Sequence, residues 1–185
     1  KADGAWARIF GDKFSQRATS AALLPGSFGT IAVAGTFEGT MTLSSGYSLN
    51  STGNTNIFVA KMSQDGTIFD LNGYGDTENQ NQVSVAASPD GSLVLGGQFR
   101  GNITFDTKNV SSPAGANSIY IAEFDSSGTC QWAKAVAKGQ DFFGGLTNIA
   151  SDSKGNIVFT GIFSGGSIDI DNNAINSTGT NLNMF

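Results

Sequence analysis

The chain has 185 residues, of which 39% are hydrophobic and 14% charged, with 25 glycines and a net charge of -5. That length holds one domain's core, and the acidic balance leaves no basic footprint for nucleic acid or for an anionic membrane surface. No apolar run approaches the ~20 residues of a membrane-spanning helix, and the absence of histidine removes Ser-His-Asp triads, Cys-His pairs and His-ligated metals together.

In chain order, Ala5 to Phe10 reads as a strand, followed by Gly11-Asp12 and a turn at Leu24-Pro25-Gly26-Ser27. Then come Gly35-Thr36-Phe37-Glu38-Gly39, the apolar strand Asn56-Ile57-Phe58-Val59-Ala60-Lys61, and the turn Asp65-Gly66 before Phe69. The same order returns after Gly75-Asp76. Val83 to Ala87 and Leu93 to Phe99 flank the turn Ser88-Pro89-Asp90-Gly91, and a short strand Asn102 to Phe105 follows. Ile119 to Phe124 and Cys130 to Val136 then flank Asp125-Ser126-Ser127-Gly128. A third copy runs from Gly139-Gln140-Asp141 through Asp152-Ser153-Lys154-Gly155-Asn156 and Gly161-Ile162-Phe163-Ser164-Gly165 to Asn183-Met184-Phe185. Short alternating runs bounded by Gly, Asp and Ser turn chemistry specify strands, and no segment shows a capped 3.6-residue period.

The G-x-F-x-G pattern recurs at spacings of 62 and 64, and the glycines at 4, 66 and 128 hold a period of 62. Internal repeats of this length, with four to five antiparallel strands each, predict an all-β chain: a β-propeller portion of three blades, with propeller blades typically about 40–50 residues long. The expected boundaries are 12–75 and 76–139 for two repeats, and 140–185 for an incomplete third completed by the strand in 1–11. Phe37, Phe99 and Phe163 are the expected wedges between blades, with Trp6, Phe69 and Trp132 anchoring another layer. The alternative for these aromatics is a sugar-stacking platform.

The order G-x-F-x-G, a strand such as Ile103-Thr104-Phe105, then Asn56-Ile57-Phe58-Val59-Ala60-Lys61, and turns of the D-x-x-G type resembles the bacterial-type β-propeller repeat family, the SBBP repeats. The resemblance covers nearly the whole chain, and its motifs are structural and carry no shared activity. It implies a secreted or surface scaffold and interaction module. The chain departs from the family where Asn56, Ser118 and Asn183 stand at an often acidic position. Closed propellers usually have about four to eight blades, so three repeats leave two readings open. One is a ring of two copies; the other, which the mid-strand end at Phe185 favours, is a stretch of a longer propeller.

Candidate sites are few. Asp12, Asp76 and Asp141 follow the recurring glycines and either line a ligand-binding ring together with Phe143, binding a cation or a sugar, or cap their own turns. Asp169 and Asp171 lie at i, i+2 on an expected strand, which makes them either an oxygen-rich metal site or part of a solvated face. The single Cys130 reads as a small buried hydrophobe, with a reactive thiol as the alternative. Asn50, Asn102, Asn109 and Asn176 head glycosylation sequons. The expectation is therefore a non-enzymatic extracellular or surface scaffold without a cofactor, meeting a protein or glycan partner and not nucleic acid, with no membrane span. A lectin-like propeller is the alternative, and a divalent-ion-dependent hydrolase stands behind it.

Overall fold

In the computed structural model of the chain, residues 7, 9–26, 29–138, 143–170, 172–179 and 181–185 are described, the side chains of Ala137, Lys138 and Phe143 excepted. Every element is a strand, and none of the described residues is helical. The first repeat contains β1 (Gln16–Leu23), β2 (Ile31–Phe37), β3 (Thr40–Ser44), β4 (Tyr47–Asn50), β5 (Asn56–Met62) and β6 (Ile68–Tyr74). The second contains β7 (Gln80–Ala87), β8 (Leu93–Phe99), β9 (Asn102–Phe105), β10 (Lys108–Ser111), β11 (Ser118–Phe124) and β12 (Cys130–Lys138). The third contains β13 (Phe143–Ser151), β14 (Ile157–Ser164), β15 (Ser167–Ile170), β16 (Asn173–Asn176) and β17 (Asn183–Met184).

Each repeat is an antiparallel meander with a hairpin inserted between its second and third strands. The sheet orders are β1-β2-β5-β6, then β7-β8-β11-β12, then β13-β14-β17, and the hairpins are β3-β4, β9-β10 and β15-β16. The last hairpin pairs through β15 with β12, making the second sheet six-stranded. Four or five strands per repeat is thus an undercount, because the first two repeats have six each. The segment after Phe105 folds straight back as β10, with Lys108 opposite Phe105 and Asp106 at a φ of +53° in the two-residue turn. An Asp-Thr turn without glycine carries a weak hairpin signal, so periodicity alone passes over it.

The G-x-F-x-G marker has a steric cause. Gly35 faces Phe58 across the β2–β5 ladder, Gly97 faces Tyr120 across β8–β11, and Gly161 exchanges two 3.1 Å backbone hydrogen bonds with Phe185. A Cβ at Gly97 would sit 2.7 Å from the Tyr120 hydroxyl, and one at Gly35 would collide first with the Arg17 backbone carbonyl of β1 and then sit 2.8 Å from the Phe58 ring. On the other side of the same glycines the first strand bulges, with Thr19, Val83 and Thr147 as the extra residues at a spacing of 64. The second glycine of the marker serves the backbone: Gly39, Gly101 and Gly165 have φ of +64°, +73° and +75°, where the chain turns from the sheet into the hairpin.

The sheets then stack. Ala32, Ala34, Ile57 and Val59 of the first sheet pack with Leu95, Phe99, Tyr120 and Ala122 of the second. Tyr74 joins Phe105 and Phe124 in an aromatic cluster there, at ring separations of 4.9 and 5.7 Å. The opposite face of the second sheet, with Val94, Ile119 and Ile121, packs with Leu146, Ile149 and Phe163 of the third. Phe37, Phe99 and Phe163 are all essentially inaccessible, and burial of such a ring is worth about 2–3 kcal/mol; Phe99 and Phe163 lie between sheets, whereas Phe37 packs with Met41, Phe58 and Ala60 of its own repeat.

The second aromatic set does not form an anchoring layer. Trp6 lies outside the described residues, while Phe69 and Trp132 are exposed. Counting from Gly66 and Gly128 shows why: the equivalent inward positions are Ile68 and Cys130, both buried, and Trp132 is equivalent to Asp70. At that shared register position the first repeat pairs Asp70 with Lys61 at 3.5 Å, and the second has the Trp132 indole N–H donating to Glu123.

Gly35→Ala should lower stability by about 3 kcal/mol through overpacking, whereas Gly46→Ala, in open space at a φ of +89°, should cost only about 1 kcal/mol of backbone strain. Urea midpoints of the two variants measure the difference.

Candidate functional site

The residues after the recurring glycines form a turn clasp. Asp12 Oδ1 accepts the Phe14 backbone N–H (2.7 Å) and a Gln16 side-chain N–H (2.6 Å), and Gln16 also donates to the Glu38 carbonyl (3.2 Å). One repeat later, Asp76 Oδ1 accepts from the Glu78 backbone (2.8 Å) and Gln80 Nε2 (3.1 Å), and its Oδ2 accepts from the Asn102 backbone (2.6 Å). Gln80 is fully buried, donates onward to the Arg100 carbonyl (3.3 Å) and accepts from Asn56 Nδ2 (3.2 Å). Both Asp76 oxygens are therefore occupied by the chain itself. Asp12 and Asp76 are organised as caps of their own turns, the second of the two roles their position allows. The signal for the clasp is the glutamine four residues after the aspartate. The third repeat lacks it, with Gln140 and Gly144 at the equivalent positions. Asp141 and the Phe143 side chain lie outside what the structure describes.

Of the expected carboxylate pair, only Asp169 is among the described residues. β15 ends at Ile170, Ile170 pairs with Asn173, and Asp169 is exposed. Asn172 has a φ of +69°, and Asp171 lies outside the described residues. Among the described residues no group of three His, Cys, Asp or Glu side chains is placed to hold a metal.

The four sequon asparagines all lie on the inserted hairpins and are exposed. Three join hydroxyl–amide pairs across their hairpin: Thr40 donates to Asn50 (2.7 Å), Ser111 to Asn102 (2.7 Å) and Thr104 to Asn109 (3.3 Å). Asn176 stands opposite Ser167.

Cys130 is buried among apolar side chains of the first interface. Burial first, and then the Asp106 carboxylate, push its thiol above the ordinary range. That environment suits a packing residue and opposes thiolate chemistry.

Several recesses open on the described surface. A polar cleft of about 470 Å³ is bounded by Asp76, Glu78, Arg100, Asn102, Pro113 and Gly115. A second, shallower recess of about 280 Å³ lies along the first strands of the repeats, lined by Thr19, Gln82, Ser84, Thr147 and Asn148. These strands are stitched to one another there. Thr19 donates to the Val83 carbonyl (2.5 Å), Ser84 to Asn148 Oδ1 (3.4 Å) and Ser151 to the Ala87 carbonyl (3.0 Å). Uncharged hydroxyls and amides dominate the recess, a surface suited to hydrogen bonding with a neutral ligand and to no proton transfer near neutral pH.

Turn aspartates control the acid limit of stability. Asp12, Asp90, Asp125 and Asp152 are held below the ordinary 3.8, mainly by hydrogen bonds from neighbouring backbone and side-chain donors. A depressed folded pKa gives stability that is present above the unfolded value and lost as pH falls through the folded one. The melting temperature should thus be flat from about pH 7 to about 5 and drop below about 4. Asp76→Ala, which strips acceptors from three donors, should cost about 2 kcal/mol at neutral pH in a urea titration. Comparison with protein-family models finds no match for the chain, and comparison with curated proteins finds none either.

Proposed function

We propose that the chain is a non-enzymatic scaffold of the β-propeller repeat type, extracellular or at a cell surface, that displays polar loops and recesses to a protein or glycan partner. The observation that carries this reading is the division of labour among its polar groups. Turn aspartates, buried glutamine and inner-strand hydroxyls satisfy the chain's own backbone and neighbouring repeats. The groups left facing solvent lie on hairpins and loops that tolerate variation. Meanders of sequential strands, stacked face to face with their first strands stitched together, support the propeller component of the proposal. The exposed sequons on every hairpin support the extracellular component.

The lectin-like reading has one observation in its favour, the neutral hydroxyl and amide lining of the recess at Thr19, Gln82, Ser84, Thr147 and Asn148. A glycan array probed in chelator separates the two. Binding that disappears in a Gln82→Ala, Asn148→Ala variant of unchanged melting temperature promotes the lectin reading.

For the scaffold, an epitope tag inserted between Ser45 and Gly46, at the tip of the β3–β4 hairpin, should leave the urea midpoint within about 0.5 kcal/mol of the parent chain. Glycoside turnover by the purified chain would overturn the non-enzymatic reading.

A further inference from the structure

Among the described residues, the two end sheets each keep one apolar face without a neighbouring sheet, and the internal repeat states what covers such a face. In the second repeat, Val85 and Leu95 of the sheet and Phe105 of the inserted hairpin are buried in the interface with the first sheet. Their equivalents in the first repeat are Ala21, which is exposed, and Val33 and Leu43, which are only half-buried. These line or adjoin a groove of about 440 Å³ whose walls also include Phe58, Ala60 and Met62. The opposite end mirrors this. Val94 and Ile119 on the second sheet are 0% exposed beneath the third, whereas their equivalents on the third sheet, Val158 and Met184, are 60% and 86% exposed. Ala86 is buried, and its equivalent Ala150 is exposed.

We infer that the groove on the first sheet receives the open face of the third sheet of a second copy of this chain, head to tail. The contact continues the interface that already joins the first sheet to the second and the second to the third. The two faces are of the same kind: aliphatic and aromatic side chains make up most of the groove, with Arg17 its one charged lining residue, and Ala150, Val158 and Met184 lie on the facing sheet. Such a contact is heterologous, and it ends only when a ring closes. Two copies supply six repeats, within the range of about four to eight blades in closed propellers, whereas three copies would exceed it. The inference rests on the stacked-repeat scaffold reading and specifies how that scaffold is completed.

Native mass spectrometry and sedimentation of the whole chain test it, and two copies are expected. Val33→Asp on one face and Val158→Asp on the other should each weaken the assembly by about a hundredfold, since either places an unpaired charge in an apolar contact. Val158 is solvent-exposed in the single chain, so its substitution does not challenge folding. Because the faces differ, mixing the two variants should restore a one-interface pair, the third sheet of the Val33→Asp chain docking on the first sheet of the Val158→Asp chain. A single-copy chain at tens of micromolar overturns the inference. So does a pair that neither variant weakens, or a mixture that fails to re-associate. A single-copy chain that still unfolds cooperatively leaves the scaffold reading standing, whereas glycoside turnover by an intact pair removes that reading and leaves the assembly.

Discussion

The close approach of an aromatic ring to a position without a Cβ underlies the architecture. Phe58 lies opposite Gly35, Tyr120 opposite Gly97, and Phe185 opposite Gly161. The next pair on the same face reverses the sizes, with Val33 opposite Ala60 and Leu95 opposite Ala122. These central pairs each sum one large and one small residue, while at the strand ends Ile31 faces Met62 and Leu93 faces Phe124. An even apolar face is what a second sheet needs in order to stack at interior density. Adding a methyl group at one of these glycines disturbs the ring, and through the ring the interface that it serves.

A second constraint acts at the first strands. Their bulges sit opposite the same glycines and add one residue to β1, β7 and β13. At and beside the bulges, hydroxyls of Thr19, Ser20 and Ser84 reach the neighbouring repeat, and Ser20 Oγ also accepts the Val85 N–H at 3.1 Å. Stacking of the apolar faces and stitching of the inner strands thus depend on one feature of the repeat. The Asp–Gln clasp adds a third tie: through Gln80, Asn56 and the Arg100 carbonyl it joins the end of one repeat to the start of the next.

These ties explain why the residue types that suggest chemistry in the sequence turn out to be structural. An aspartate after glycine, repeated along the chain, is compatible with a ligand ring or with a capped turn. The decision rests on whether local N–H groups occupy the carboxylate, and at Asp76 three donors do so. The polar recess along the first strands is instead built from side chains with no strong sequence pattern, such as Gln82, Thr147 and Asn148, which come together only because three strands lie side by side.

The sequence by itself determined the all-β class, the three-fold repeat and the inward placement of Phe37, Phe99 and Phe163, because strand alternation and turn glycines are local signals. It also contained the glutamine of each clasp and the true inward positions Ile68 and Cys130, legible once residues are counted from the repeat glycines instead of matched by aromatic type. The inserted hairpin at Asp106 was hidden, since a turn without glycine leaves little local trace. Only the tertiary structure decided which carboxylates are consumed by the chain, which hydroxyls bridge repeats and which apolar faces stay open. The bridging hydroxyls reach residues 64 or 65 positions away and the Asp76 carboxylate reaches Asn102, 26 positions away, and a sequence pattern states the period of such contacts without stating their geometry.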